Sequence, residues 1–354
     1  MRFPMRFALA LSAVLVACEH GAPFRPDDYG PKGPHTAGNP TRLTYNPGQD
    51  LMPTWLPGGS EIMYTGERWD RSDHDRCLAV LPAAGGVIAR YDCRTTGADD
   101  SVNVFEEAAV RGDSVVYVRT RTQIFPQQLG PQGYDLVIAP RADPNRASVL
   151  YSVGPPAPWG TFYDGISHVT WLAPDRVAAI GERLTYPIPC RTCGRDTVRT
   201  GLDILLVDFG AAAPTLSRLA FGDSASSMAA SANGDTLYFT RDGDSRVYRH
   251  TFSNDQTDTL YDFVSGIARD VSVGGGKLAA IVGGQVSYVV DSTLGGSQPD
   301  HGGPLFLLNG GAVAQMGDPS WLFRRPAIAS DGQHLVVAAW VGPAVADIWL
   351  FQLP

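Results

Sequence analysis

The stretch Leu56-Pro57-Gly58-Gly59, followed at residues 61–66 by EIMYTG, predicts a tight turn that leads into an apolar strand. Hairpin turns need positive φ angles, which Gly, Asn and Asp adopt at the least cost. The unit recurs five times, with turns at Arg111-Gly112-Asp113, Pro174-Asp175, Asn233-Gly234-Asp235, Gly274-Gly275-Gly276 and Ser330-Asp331-Gly332. A strand-turn-strand unit that returns roughly every 40–65 residues is typical of the blades of a propeller.

A second apolar pair follows each unit and supplies the third and fourth strands of a blade. The third strands begin at Cys77, Tyr134, Leu202, Arg246, Pro304 and Ala346. The sixth pair lacks its fourth strand, whereas residues 41–45 form a spare strand before the first blade. We therefore predict an all-β, six-bladed β-propeller over residues 41–354, closed by an N-terminal strand that completes the last blade. An open β-sandwich or two smaller β-domains would leave this match between a missing and a spare strand unexplained.

Composition agrees with a turn-rich β-protein. The 354 residues include 39 Gly and 27 Pro, only 18% are charged, and the formal net charge is −8. Nucleic-acid binding needs a basic stripe that neutralises phosphates, and the sequence has no cluster of Lys and Arg. We expect a monomer with no nucleic-acid partner.

The N-terminus has the pattern of an export signal. Arg2 and Arg6 precede an apolar run too short to span a bilayer, which predicts a signal peptide over residues 1–17. The segment Leu15-Val16-Ala17-Cys18 resembles the bacterial lipobox, which implies that Cys18 is diacylated and becomes the mature N-terminus. An ordinary cleaved signal that happens to contain a cysteine is the alternative. Glu19, in place of Asp after the cysteine, favours the outer membrane of the cell envelope.

A tether follows the lipidated cysteine. Residues 18–40 are rich in Pro and Gly and poor in apolar side chains, so they cannot bury enough surface to order themselves. An extended Pro-rich chain rises about 3 Å per residue, which would hold the ring up to roughly 60–70 Å from the membrane. We expect the lipid to be the protein's only contact with a membrane.

The remaining cysteines fit an exported protein. Cys77 and Cys93 lie symmetrically about Gly85, so a hairpin would place them opposite each other as a cross-strand disulfide requires. Two free thiols are the alternative. Cys190 and Cys193 form one CxxC, which can be a redox motif, half a zinc site or a local disulfide. Its Pro-rich loop favours a disulfide, since no second CxxC supplies the other zinc ligands.

Residues 53–64, PTWLPGGSEIMY, resemble the Pro-x-Trp-Ser-Pro-Asp-Gly repeat of TolB-type β-propellers. Weaker copies lie at residues 169–175 and 325–332, whereas blades two, four and five lack the Trp and Pro. The resemblance covers residues 41–354 and implies six blades. TolB's separate α/β domain has no counterpart here, so the resemblance concerns the propeller and not TolB's role.

Long connections between second and third strands carry the functional signal. We predict long loops in blade one (67–76), blade two (120–133), blade three (182–201) and blade five (about 283–303), all on one face of the ring. Loops crowded on a rigid scaffold commonly form binding surfaces, and aromatic and Arg side chains dominate interfaces. We therefore predict partner-binding residues in these loops: Trp69, Arg121, Phe125, Tyr186, Arg191 and His301. The alternative is that these loops merely cover the ring's mouth.

The predicted function is an envelope lipoprotein whose propeller binds a protein or polymer. The alternative is a propeller enzyme of the lactonase, phytase or glycan-cleaving kind, with a metal or acid cluster at the central channel. The inner strands offer few acids: Asp270 is one, whereas Ser167-His168-Val169 is mostly neutral. We therefore predict no catalytic residue, metal or cofactor.

Three further patterns look catalytic or metal-binding but are better explained as structure. Phe221-Gly222-Asp223-Ser224 resembles a lipase block but lies between two blades. The polar residues 70–75 lack the spacing of a calcium loop. His168 and His250 lie near strands, so we expect local hydrogen bonds to satisfy them.

Overall fold

The structure is a computed structural model. It describes residues 38–45, 48–67, 76–92, 101–125, 128–153, 160–186, 198–264, 266–283, 302–341 and 345–354. A 3₁₀ turn at Ala220–Gly222 is the helical element of these residues. None of them forms a helix with the length and hydrophobicity that a bilayer crossing requires.

In this part of the chain, 24 strands form six four-stranded antiparallel sheets, the blades of a six-bladed β-propeller. Blades one to three contain β2 to β13, four strands in each blade: β2 (Asp50–Trp55), β3 (Glu61–Glu67), β4 (Arg76–Pro82), β5 (Arg90–Asp92); β6 (Ser101–Arg111), β7 (Ser114–Phe125), β8 (Gln128–Pro140), β9 (Ser148–Val153); β10 (Gly160–Ala173), β11 (Arg176–Tyr186), β12 (Val198–Asp208), β13 (Thr215–Leu219). Blades four to six contain the remainder: β14 (Ala225–Ala230), β15 (Thr236–Arg241), β16 (Arg246–Thr251), β17 (Gln256–Asp262); β18 (Ile267–Gly274), β19 (Lys277–Gly283), β20 (Leu305–Asn309), β21 (Ala312–Met316); β22 (Leu322–Ile328), β23 (His334–Trp340), β24 (Asp347–Gln352) and β1 (Thr41–Arg42). The predicted fold is confirmed.

Burial falls from the second strand of a blade to its fourth. Every residue of β19 is buried, whereas most of β13 and β17 is exposed. A second strand has a neighbouring blade on each face, so both of its faces are apolar, as in the run KLAAIV. The outermost strands have water on one side and can be polar.

Apolar clusters fill the spaces between neighbouring blades. Among the described residues there are six of them, one for each interface. The repeat's Trp adds a polar clamp: Trp55 Nε1 donates to the carbonyl of Ala327 at 2.9 Å, and Trp171 Nε1 to that of Ala109 at 3.0 Å. In both cases the acceptor lies on the inner strand of the preceding blade. The motif therefore links neighbouring blades.

The ring closes through β1, as the sequence predicts. Thr41 pairs with Leu350 and Arg42 with Trp349, so the N-terminal strand is the fourth strand of blade six. The ladder continues beyond β1, because Leu43 N donates to Ile348 O at 2.8 Å and Gln352 N to Gly38 O at 2.8 Å. The seam therefore joins chain segments that are remote in sequence.

A repeated Asp–Arg pair shows that β1 stands where a regular fourth strand would. Asp203 and Asp347 occupy equivalent positions, because each is paired with the sixth residue of its second strand, and both are buried. Arg218 is paired with Leu205, two residues after Asp203, and its Nε lies 2.8 Å from Asp203 Oδ1. Arg42 is paired with Trp349, two residues after Asp347, and its Nη2 lies 2.7 Å from Asp347 Oδ2. Arg42 thus takes the place in blade six that Arg218 has in blade three.

Two connections predicted as loops contain strand wherever the structure describes them, so those predictions were wrong for these residues. In blade two, β7 continues to Phe125 and β8 begins at Gln128, with paired residues through the predicted loop 120–133. In blade three, β11 continues to Tyr186 and β12 begins at Val198. The polar run at residues 120–123 and the Gly and Pro residues of β8 lack the apolar alternation of a strand, so the sequence there predicts a loop. Cross-strand hydrogen bonds nevertheless hold them in a ladder.

We expect the seam to be sensitive to pH through Asp347. Burial raises the pKa of Asp347 to about 6, although Arg42 and the hydrogen bonds from Arg42 and Thr44 act to lower it. The folded pKa exceeds the unfolded value near 3.8, so this group's contribution to the free energy of unfolding is lost as the pH rises from about 4 through about 6. Asp347→Asn mimics the neutral acid. Urea unfolding at pH 4, 5.5 and 7 should show wild type losing about 2–3 kcal/mol relative to this variant.

The Arg42→Gln variant tests the cause of this shift. Arg42 lowers the pKa of Asp347, so its loss should move the transition to higher pH. A difference between wild type and Asp347→Asn that stays constant with pH, or grows in favour of wild type, would contradict the prediction.

Candidate functional site in the central channel

The six inner strands, which line the central channel, share one irregularity. Each has a register shift against its second strand: at Leu51/Thr54, Glu106/Ala109, Ser167/Thr170, Ala225/Ser227, Ala268/Val271 and Arg324/Ala327. Such bulges bend a strand and re-aim its side chains. In five blades the bulge contains Met52, Glu107, His168, Asp270 or Arg325, whereas in blade four it lies at Ser226.

Four of these positions have a left-handed backbone. The φ angle is +54° at Met52, +57° at Glu107, +51° at His168 and +52° at Arg325. For residues with a side chain this conformation costs on the order of 1–2 kcal/mol each. Strain of this kind persists only where neighbouring contacts hold it, and the contacts below involve three of the four residues.

One ion pair crosses the channel between blades six and two. Arg325 binds Glu107 through both terminal nitrogens, with Nη1–Oε2 at 3.0 Å and Nη2–Oε1 at 2.5 Å. The two side chains are only 17% and 7% exposed. Because blade one lies between these blades along the ring, the pair bridges blades that are not neighbours.

A second bridge crosses between blades three and five. His168 Nε2 lies 3.3 Å from Asp270 Oδ1, and the side chains are 9% and 4% exposed. Asp270 Oδ2 also accepts bonds from Arg324 Nε and from Arg325 N, each at 2.8 Å. Finally, His168 N donates to Glu107 Oε2 at 2.5 Å. We call Glu107, His168, Asp270, Arg324 and Arg325 the channel cluster.

Electrostatics fix the protonation of the channel cluster. Burial alone would raise the pKa of Asp270, but Arg324, the His168 hydrogen bond and Arg325 hold it well below its ordinary value. Burial lowers the pKa of His168, and Arg325 adds to this effect against the opposing influence of Glu107 and Asp270. At neutral pH, His168 is therefore an uncharged imidazole beside an ionised carboxylate.

The channel cluster is a poor place for a metal ion. Arginine side chains hold both carboxylates, and a divalent cation would have to displace them. Within the described ranges, no three His, Cys, Asp or Glu side chains are arranged to hold a metal. What the cluster does offer is a neutral imidazole with a fixed hydrogen-bond partner, the arrangement of a general base.

The predicted binding residues are only partly placed. Trp69, Arg191 and His301 lie outside the described residues, as do Cys18, Cys93, Cys190 and Cys193. For Arg121 and Phe125 in β7 and Tyr186 in β11, the structure describes the backbone. Arg121 and Phe125 belong to one hairpin, and Tyr186 belongs to the neighbouring blade. Cys77 is buried in β4, and its disulfide with Cys93 stays a prediction.

Sequence reasoning missed Glu107 and Arg325. A signal exists, because the channel residue precedes the turn at a constant spacing in three blades: Met52 before Gly59, His168 before Asp175 and Arg325 before Gly332. Blades two and five have shorter turns, so the spacing fails at Glu107 and Asp270. Asp270 was recognised as a channel acid, but its partners were not.

Two of the patterns discounted as catalytic make structural contacts. Asp223, of the lipase-like block, binds Arg183 at 3.3 Å and Arg218 at 3.0 Å, and thus ties blade three to the connection that follows it. His250 is satisfied locally by Thr257 at 2.9 Å and stacks on Phe221 with ring centroids 3.6 Å apart. The prediction that local hydrogen bonds satisfy His168 is only partly correct. His168 contacts its neighbour Ser167, but it also contacts Asp270 across the channel.

The fold and the channel define a six-bladed β-propeller with a polar centre, and solved structures share the fold. A gluconolactonase from Xanthomonas campestris is 14% identical, with 92% of this chain and 98% of that one covered and a TM-score of 0.52. A putative TolB from Agrobacterium tumefaciens is 14% identical over 89% and 97% of the two chains, with a TM-score of 0.49. A luciferin-regenerating enzyme is 10% identical over 92% and 94%, with a TM-score of 0.48. At these identities the likeness shows the fold alone.

Sequence comparison adds no relative. No protein-family model matches the chain, and no curated protein matches it significantly.

The Glu107–Arg325 bridge should be costly to break on one side only. Arg325→Met leaves a buried carboxylate without its partner, which typically costs about 3–5 kcal/mol. The double variant Glu107→Gln/Arg325→Met removes the charge and keeps an acceptor for His168 N, so it should recover more than half of that loss. Urea unfolding of the three proteins gives the comparison.

The matched control is Arg249→Met, which breaks an ion pair with Asp258 on the outer part of blade four. Exposed pairs contribute little, so its loss should be much smaller. If the double variant is as unstable as Arg325→Met, the bridge does not act as a coupled pair.

Proposed function

We propose that this propeller is an interaction module of the bacterial cell envelope, and that it binds a protein or polymer on the face toward which the long second strands of blades two and three extend. The observation that carries the proposal is the unequal length of the second strands. β7 and β11 have 12 and 11 residues, whereas β15 has 6 and β23 has 7.

The extra length lies on one face. All second strands begin directly after the first hairpin turn, so their starts are level and their surplus extends from the opposite end. At about 3.3 Å per residue, β7 reaches roughly 20 Å farther than β15. Blades two and three are neighbours, so together they form a raised wall at one side of the channel mouth. A wall on a rigid ring is the geometry of a docking surface.

The alternative of a metal- or acid-cluster enzyme has less support from the described residues. Its chemistry needs carboxylates that are available to a metal or a substrate. Glu107 and Asp270, the carboxylates of the channel cluster, are instead held by Arg324, Arg325 and His168. The known activities of proteins with this fold do not transfer at 14% identity or less.

The proposed location rests on the sequence. Residues 1–17 have the pattern of a signal peptide, Cys18 lies in a lipobox-like segment, and Glu19 favours the outer membrane. We propose that a lipid on Cys18 anchors the ring through the tether 18–40, facing the periplasm or the cell surface. Two or more acyl chains on one residue anchor stably, whereas a single chain binds reversibly.

Replacing Cys18 by Ser should release the protein from the membrane. The acyl chains require the thiol, so the variant should appear in the soluble fraction after cell fractionation, with the same melting temperature as wild type. Persistence of the Ser variant on membranes after a high-salt wash would contradict a lipid anchor.

Replacing Trp69, Phe125, Tyr186 and Arg191 together by Ala should abolish partner capture. Interface hot spots typically cost about 2 kcal/mol or more each, whereas exposed positions rarely change stability by more than about 0.5 kcal/mol. The measurement is a pull-down from envelope extract, with the melting temperature determined in parallel.

The control set lies on the opposite face, in first hairpin turns: Asp113, Asp175 and Gln333, all exposed. Asp235 is unsuitable, because it accepts hydrogen bonds from Ser253 N and Oγ, each at 2.9 Å. If the control variant no longer captures the partner while the variant of Trp69, Phe125, Tyr186 and Arg191 still does, the binding face is the opposite one.

A further inference from the structure

The imidazole of His168 has a second partner that the interaction proposal does not use. His168 Nδ1 lies 3.1 Å from Ser167 Oγ, while Nε2 lies 3.3 Å from Asp270 Oδ1. A hydroxyl, an imidazole and a carboxylate therefore follow one another in a line of hydrogen bonds. Ser167 comes from the same strand as His168, and Asp270 comes from across the channel.

The direction of the hydrogen bonds follows from chemistry. An ionised carboxylate only accepts hydrogen bonds, so Nε2 of His168 must carry the proton and donate to Asp270. In a neutral imidazole the other nitrogen is then an acceptor. Nδ1 therefore accepts from the hydroxyl of Ser167. Arg324 Nε and Arg325 N hold the Asp270 carboxylate in place and in its ionised form.

We propose that Ser167 is a nucleophile that His168 activates as general base, with Asp270 as the positioning residue, and that the channel thereby hydrolyses carboxylic esters or lactones. A serine hydroxyl is weak on its own and becomes reactive when an oriented imidazole takes its proton. This inference does not depend on the interaction module, because it concerns the channel and not the raised wall.

The reaction balances without a metal or an oxidant. Ser167 Oγ bonds to the substrate's carbonyl carbon as its proton moves to His168 Nδ1. The carbon–oxygen bond to the alkoxide breaks, and that oxygen takes the proton from Nδ1. Water then attacks the acyl-serine and gives one proton to Nδ1, and the acid leaves as Ser167 recovers that proton.

The position of Ser167 gives it access from one face. β10 begins on the face of the raised wall and ends at the first hairpin turn, so Ser167 lies one residue closer to the wall than His168. The Ser167 residue is partly exposed, whereas the imidazole behind it is nearly buried. A substrate would thus enter beside blades two and three, and the channel cluster would form the floor of the site.

The test uses an alkyl fluorophosphonate, which forms a phosphorus–oxygen bond with an activated serine and releases fluoride. We expect full-length protein, purified in detergent, to be labelled at Ser167 when folded and not after urea unfolding, with the site located by peptide mass spectrometry. Ser167→Ala should abolish labelling. Ser226→Ala is the matched control, because Ser226 lies on an inner strand and bonds Thr240 Oγ1 at 3.0 Å instead of an imidazole.

Two further measurements separate base catalysis from a structural role. His168→Ala should slow labelling about 10²-fold or more, the usual contribution of a general base. In wild type the labelling rate should fall at acidic pH, when His168, which faces Asp270, Glu107, Arg324 and Arg325, takes up a proton; because burial lowers the pKa of His168, the fall should come at a lower pH than for an ordinary histidine. Melting temperatures show whether each variant is folded. Label on another residue, an unlabelled Ser167 in folded wild type, or unchanged labelling of a folded His168→Ala variant would each overturn the proposal.

Discussion

Ring closure is the constraint on which this structure depends. A second strand such as β19 is apolar on both faces because a neighbouring blade covers each face. If one blade were missing or incomplete, two apolar faces would meet water, at a cost of about 25 cal/mol for each Å² exposed. The paired residues of β1 and β24 therefore support every interface of the ring, although they belong to blade six alone. This explains why the seam repeats a device of a regular blade, with Arg42 on Asp347 as Arg218 is on Asp203.

The centre of the ring follows a second rule. Inner strands converge there, and their bulges aim polar side chains inward from positions with costly backbone angles. Glu107, His168 and Arg325 have these angles because each is held by hydrogen bonds from another blade. The same contacts that close the channel also orient the imidazole. The geometry of the channel cluster would serve either a purely structural role or catalysis. The Ser167 hydroxyl next to the His168 imidazole is the feature that supports catalysis.

Much of the fold could be predicted from the sequence, because it is written in local patterns. Turns such as Leu56-Pro57-Gly58-Gly59 and the apolar strands after them mark each blade, and the unmatched strand at 41–45 indicated closure. The extended strands of blades two and three escaped prediction, since no apolar face marks a ribbon that rises above its neighbours.

The channel cluster was harder to predict for a different reason. Its contacts join residues as far apart as Glu107 and Arg325, on blades that are not adjacent, so they exist only once the ring has closed. Hydrophobic periodicity cannot show them, because the bulges interrupt that periodicity. Asp270 was visible as an acid on an inner strand, but its role depends on partners from two other strands, β10 and β22.

The four bridging residues form a closed circuit: Glu107 to His168, His168 to Asp270, Asp270 to Arg325, and Arg325 back to Glu107. A circuit differs from a chain, because the loss of any one link still leaves all four members connected. The inner strands of the propeller are therefore joined by one more contact than is needed to connect them. This circuit holds the inner strands of blades two, three, five and six at fixed distances from one another.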